Sequence, residues 1–157
     1  MNAYRTKPLR YPWPPVIYGG AVAFALVGER LAPMPLTAPG PLILPVLGFA
    51  LALLAISLDI WAVKTLMERQ TAVLGTGGAR YLVTCGPFRF TRNPIYLGYT
   101  LLTLSLGLIA ASAWFVPMAL MAAAIIDWTV IRCEEQHLDQ RFGYEYECYR
   151  RRTRRWI

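Results

Sequence analysis

Two short stretches of this chain carry residue types whose spacing could do chemistry. The first is "RNPIY", Arg92 to Tyr96, at the entrance to a long apolar run. Asn93 suits a helix N-cap and Pro94 a first helical position, which would leave the backbone N–H groups of Ile95, Tyr96 and Leu97 without intrahelical partners. A helix start of this kind attracts an anion through its free donors and its dipole, and Arg89 and Arg92 add positive potential. The plainer reading has Asn-Pro cap the helix, the arginines meet lipid phosphates, and Tyr96 join an aromatic belt.

The second stretch gathers Asp127, Arg132, Glu134 and Glu135, three acids and one arginine within about two helical turns. Carboxylates beside a low-dielectric boundary are costly unless paired or bound, so they are functional candidates. The alternative is an interfacial network, with Arg132 on its acidic neighbours and Glu134 on His137 three residues later. Cys133 and His137 form an i, i+4 pair, but no further ligands are spaced to complete a metal site, and none is expected. Gly75-Thr76-Gly77-Gly78 reads as a flexible turn and not a phosphate loop. No nucleophile with its own base is recognisable.

The elements that must position these groups are apolar. Of 157 residues, 56% are hydrophobic and 16% charged, a composition far from that of a soluble protein. The expected fold is all-α and polytopic, with four membrane spans at about 13–31, 42–63, 95–111 and 114–131, since each window approaches the roughly 20 residues a crossing requires. Spans three and four form a helical hairpin, which returns the chain to the side it left. The cytoplasmic segments 80–98 and 132–151 can therefore share one site. Beyond them Phe142, Tyr146 and Tyr149 recur at helical spacing ahead of a run of arginines, which predicts an amphipathic tail helix lying on the membrane and able to lid that site.

Basic residues accumulate before the first span (Arg5, Lys7, Arg10), between spans two and three (Lys64, Arg69, Arg80, Arg89, Arg92) and after span four, while the other two loops hold only Arg30. Short basic loops stay cytoplasmic, so both termini are expected there. The net charge of +7 then faces anionic membrane lipids, and no nucleic-acid partner is implied. A cleaved signal peptide over Val16 to Val27 is disfavoured by the lack of a small-residue cleavage site. Cys85, Cys133 and Cys148, odd in number and on the cytoplasmic side, are expected to be reduced thiols.

"LVTCGPFRFTRNPIYLG", Leu82 to Gly98, and "EEQHLDQRFGYEYECYRR", Glu134 to Arg151, flank the hairpin in that order. Together they resemble the isoprenylcysteine carboxyl methyltransferase and phospholipid methyltransferase group of integral membrane enzymes. The resemblance implies S-adenosyl-L-methionine at the cytoplasmic face and methyl transfer to a lipophilic small molecule or lipid-modified acceptor. It implies a cofactor site lined by Arg80, Tyr81, Leu82, Val83, Phe88, Asn93, Pro94, Ile95, Tyr96 and one of Glu134 or Glu135; Arg92, with the helix start at Pro94 to Leu97, suits the cofactor's carboxylate on its own chemistry. Arg132 resembles the substrate-side arginine, and Glu135 is the carboxylate expected to respond most to substitution. Two positions depart from the family pattern: Asn93 stands where His is usual and Phe88 where Tyr is usual, which removes a titratable ring and a hydroxyl. The competing readings are a membrane reductase with a nicotinamide cofactor and a non-catalytic protein of the same fold.

Overall fold

A computed structural model describes residues 13–69 and 81–157. The basic N-terminal residues Arg5, Lys7 and Arg10, the turn at Gly75–Gly78, and Arg80 of the expected cofactor site lie outside the described residues. Within them the chain is all-helical: α1 (Trp13–Leu31), α2 (Ile43–Glu68), a 3-10 turn (Gly86–Arg89), α3 (Pro94–Ile109), α4 (Phe115–Ile126), a π-helical turn (Asp127–Ile131), α5 (Arg132–Phe142) and α6 (Tyr144–Arg152). The π turn joins α4 to α5, so a helical path runs from Phe115 to Phe142.

The helices associate through small residues. α2 buries Gly48, Ala55 and Ala62 against α3, its most extensive partner, while α1 packs on α4 and α3 on α4. Small side chains bring helix backbones close, which suits association where apolar burial alone offers no preference. Gly98 of α3 is the tightest case: a β-carbon there would overlap the Asp59 carboxylate of α2. The outward positions of α2 are large and apolar, including Val46, Leu47, Phe49, Leu53 and Leu54, all exposed. A continuous apolar exterior is what a bilayer would cover.

Two of the described helical segments, Ile43–Glu68 and Phe115–Phe142, are long and apolar enough to cross a membrane, against the four spans expected. The shortfall has physical causes. Glu29 and Arg30 close α1 with charge, and its Trp-Pro-Pro start is weakly apolar. α3 has 16 residues, which at the helical rise amounts to about 24 Å, short of a hydrocarbon core of roughly 30 Å.

The two ends of the bundle differ. At one, Glu29 Oε2 accepts from the Ser112 hydroxyl at 2.6 Å, and the Met34–Leu36 backbone pairs with Ala111–Ala113. Beside it an open groove lined by Leu36, Pro39, Pro41, Leu44 and Ala111, with no titratable side chain, offers no chemistry. At the other end the C-terminal residues turn back and join the segment that leads into α3, and the charged side chains collect there.

Candidate active site

The approach to α3 is fixed by the end of the chain. α5 stops at Gly143, whose φ of 50° favours glycine, and α6 turns its aromatic face inward. Tyr146 is 1% exposed and Tyr149 8%, so this helix seats these two rings on the protein. The Tyr149 hydroxyl donates to the Phe88 carbonyl at 2.7 Å, holding the 3-10 turn. α6 ends at Arg152, and the extended residues after it run beside Thr91–Asn93: Thr91 forms a parallel bridge to Arg154, and Arg92 N–H donates to the Arg154 carbonyl at 3.0 Å.

Asn93 occupies the N-cap position, but its side chain does not cap. Its Nδ2 donates to the Arg155 carbonyl at 3.0 Å, and the Thr91 hydroxyl donates to the same carbonyl at 3.1 Å. The capping role expected from the Asn-Pro sequence is therefore replaced by a long-range tie. The carbonyl that arrives from the C-terminus is a better partner for the amide's donor end than the helix N–H groups, which need an acceptor.

One turn into α3, the Tyr96 hydroxyl donates to Glu134 Oε1 at 2.8 Å, so the two polar segments do meet. Beside this pair lies a charged chain. Arg92 Nη2 is 3.0 Å from Glu135 Oε1; Arg155 reaches the same carboxylate through Nε at 3.0 Å and Nη2 at 2.6 Å; Arg155 Nη1 lies 3.1 Å from Asp127 Oδ2. The Trp156 indole N–H completes it, donating to Asp127 Oδ1 at 3.1 Å. Arg92 and Glu135 expose only 10% and 14% of their side chains. Hydrogen bonding to Glu135 pushes the Arg155 guanidinium further up, while burial pushes the Tyr146 phenol up to about 12 and the Tyr149 phenol up as well.

Satisfaction of this cluster is incomplete. Arg92 Nε and Nη1, His137 Nε2 and the Tyr146 hydroxyl are buried without a hydrogen-bond partner. Since buried polar groups are normally paired, leftover donors beside a charged network are what a polar ligand would satisfy. Among the described residues no set of His, Cys, Asp and Glu could hold a metal.

A family model described as phospholipid methyltransferase matches residues 43–145, which include α2 to α5, the first polar segment and the second as far as Glu145. The chain belongs to the phospholipid methyltransferase family. Membership implies a methyltransferase, and with the two apolar helical segments it marks a membrane protein. No curated protein and no solved structure matches the chain.

The expected site residues of this family member are distributed as follows. Arg92, Asn93, Pro94, Tyr96, Glu134 and Glu135 come together at the junction of α3 with α5. Val83 and Ile95 are buried with Ala62 and Leu66 in an apolar cluster, and Phe88 packs on it. Leu82 is half-buried and Tyr81 exposed. Arg132 has a side chain 57% exposed and pairs with Asp127 at 4.0 Å, one of the acids gathered beside it. Glu134 does not pair with His137, because Tyr96 takes it. Sequence reasoning missed Arg155, Thr91 and Trp156. Arg155 sits in a run of arginines that read as one solvated face, and only the helix-breaking Thr153 hinted that the run changes conformation.

Proposed function

We propose that this protein transfers a methyl group from S-adenosylmethionine to a lipophilic acceptor at the cytoplasmic face of its membrane. The observation that carries the reading is Arg92: its side chain is nine-tenths buried, one nitrogen is held by Glu135, and the other two have no partner. Nε and Nη1 lie on different edges of the guanidinium, and each is a buried charge-assisted donor that a carboxylate oxygen would satisfy. The donor set therefore fits the cofactor's amino-acid end, aided by the start of α3. Both Glu135 oxygens are occupied by arginines, so we assign the ribose or amino group to Glu134, whose Oε1 is engaged by Tyr96. Phe88, packed over the apolar cluster, supplies a face for the adenine.

When bound, S-adenosylmethionine supplies a methyl group already activated on a sulfonium. The protein's own residues then have to align, exclude water and admit the acceptor, and an acid/base triad is unnecessary. Arg92 and Glu134 fix the two ends of the ligand, Tyr96 holds Glu134, and the α6 aromatics close the side facing the cytoplasm. The acceptor reaches the site from the bilayer. An isoprenylcysteine-like carboxylate, a phospholipid amine, or a small lipophilic thiol or amine all fit this reading.

Incubating purified protein with methyl-labelled donor and a total lipid extract should move label into the organic phase. Folded protein that transfers none to lipids or lipophilic small molecules would count against the proposal. The cytoplasmic placement predicts that reporters at the N-terminus and at Ile157 read as cytoplasmic and one at Ala38 as external. An external signal at Ile157 would reverse it.

A further inference from the structure

Arg155 lies beyond residue 145, where the family match ends, yet it adds a third tie between the two halves of the site, beside Tyr96–Glu134 and Arg92–Glu135. All three guanidinium nitrogens are used: Nε and Nη2 grip the two oxygens of Glu135 at 3.0 and 2.6 Å, and Nη1 takes Asp127 at 3.1 Å. Its backbone carbonyl meanwhile accepts from the Thr91 hydroxyl and from Asn93 Nδ2. One residue thus ties the segment before α3 to both acids of the α4–α5 junction. A planar fork of donors can hold two carboxylates at once, and an ammonium cannot reproduce that.

The consequence falls on Arg92. Glu135 Oε1 is shared between Arg155 Nε and Arg92 Nη2, so the position of the carboxylate sets the rotation of the Arg92 guanidinium. Because only Nη2 is spent on Glu135, Nε and Nη1 stay free and buried on its other edges. Without Arg155, Glu135 would turn to satisfy Arg92 in a bidentate pair, the arrangement this geometry prefers, and would consume a second donor.

From this we infer that Arg155 is a positioning residue: by holding Glu135 from the far side it keeps Arg92 Nε and Nη1 unspent, so that a buried donor is left for the carboxylate of the methyl donor. The inference rests on the cofactor assignment proposed above. It also gives a residue beyond the family match a part in the binding site, acting through Glu135 on Arg92 without touching the ligand.

The test compares two ligands by calorimetry on the full chain in detergent: S-adenosylhomocysteine, which carries the amino-acid carboxylate, and methylthioadenosine, which does not. Arg155→Gln is expected to weaken the first about tenfold or more, the scale of a charge-assisted hydrogen bond, and leave the second within about twofold. Arg155→Lys, which keeps the charge and loses the fork, should show the same selective loss and guards against a Gln variant that does not fold. Equal loss for both ligands in a folded variant would show that Arg155 merely supports the fold and would overturn the inference. So would a variant that keeps the parent's preference for S-adenosylhomocysteine. If the parent binds both ligands equally well, the carboxylate seat at Arg92 is wrong while a nucleoside site survives. If it binds neither, the proposed function falls, and the inference with it.

Discussion

Replacing Glu135 by Gln removes the charge on which two arginines converge. Its carboxylate lies 3.0 Å from Arg92 and 2.6 Å from Arg155, and the exposed fractions of the three side chains are 14%, 10% and 33%. Breaking a buried ion pair from one side costs about 3–5 kcal/mol, because a buried charge is left uncompensated. Arg155 keeps Asp127 and some solvent, so its share is nearer the roughly 1 kcal/mol of an exposed pair. Arg92 keeps nothing comparable and sets the total at about 3 kcal/mol. Glu134→Gln differs in kind: the amide oxygen can still accept from Tyr96, and the loss is about 1 kcal/mol. Unfolding in mixed micelles, followed by circular dichroism, would compare the two. A cycle with Arg155→Gln should be non-additive by about 1–2 kcal/mol, since both changes remove the same contact. If Glu135→Gln is as stable as Glu134→Gln, or adds independently to Arg155→Gln, the charged chain described here does not hold the site together.

Asn93→Asp separates the two roles open to that position: Asp caps a helix as well as Asn, but it has no donor for the Arg155 carbonyl, so a loss of about 1–3 kcal/mol is expected and unchanged stability would restore the capping reading. Gly98→Ala should destabilise by about 1–3 kcal/mol through overlap with Asp59, with recovery in the Gly98→Ala, Asp59→Ala double variant; a harmless single variant would mean that α2 and α3 are not so close. The Tyr146 phenol, raised by burial from 10.0 to about 12, binds its proton more tightly when folded, so its contribution to stability is complete below pH 10 and is lost as pH rises through 12. Tyr146→Phe should therefore flatten the alkaline fall in stability measured by pH titration, and an unchanged slope would contradict the burial of this ring.

Much of the site was legible because its parts are local signals. Asn-Pro before an apolar run marks a helix start, and a hairpin must bring that start back to the helix that follows it, which is why Tyr96 and Glu134 could be placed together. Partner choice was not legible. Asn93 and Glu135 each had an adequate partner close in sequence, yet each took another: the Arg155 carbonyl, and the pair Arg92 and Arg155. These choices depend on where the chain's last residues run, and hydropathy carries no signal for that. The tail shows the same limit, since helical spacing of Phe142, Tyr146 and Tyr149 marks an apolar face without showing what covers it. Two of the four expected spans fall short of a crossing by length or composition, because a window of apolar residues does not measure helix length: α3 ends at Ile109 and α1 closes on Glu29 and Arg30.

The central claim is a binding site for S-adenosylmethionine at the junction of α3 with α5, and the most direct test is a titration of the purified protein with S-adenosylhomocysteine, run beside NADPH and beside the Arg92→Gln variant. Saturable binding of S-adenosylhomocysteine, weakened about tenfold or more by Arg92→Gln and absent with NADPH, is the predicted result. Binding that ignores Arg92, or binding of NADPH in place of S-adenosylhomocysteine, would contradict it.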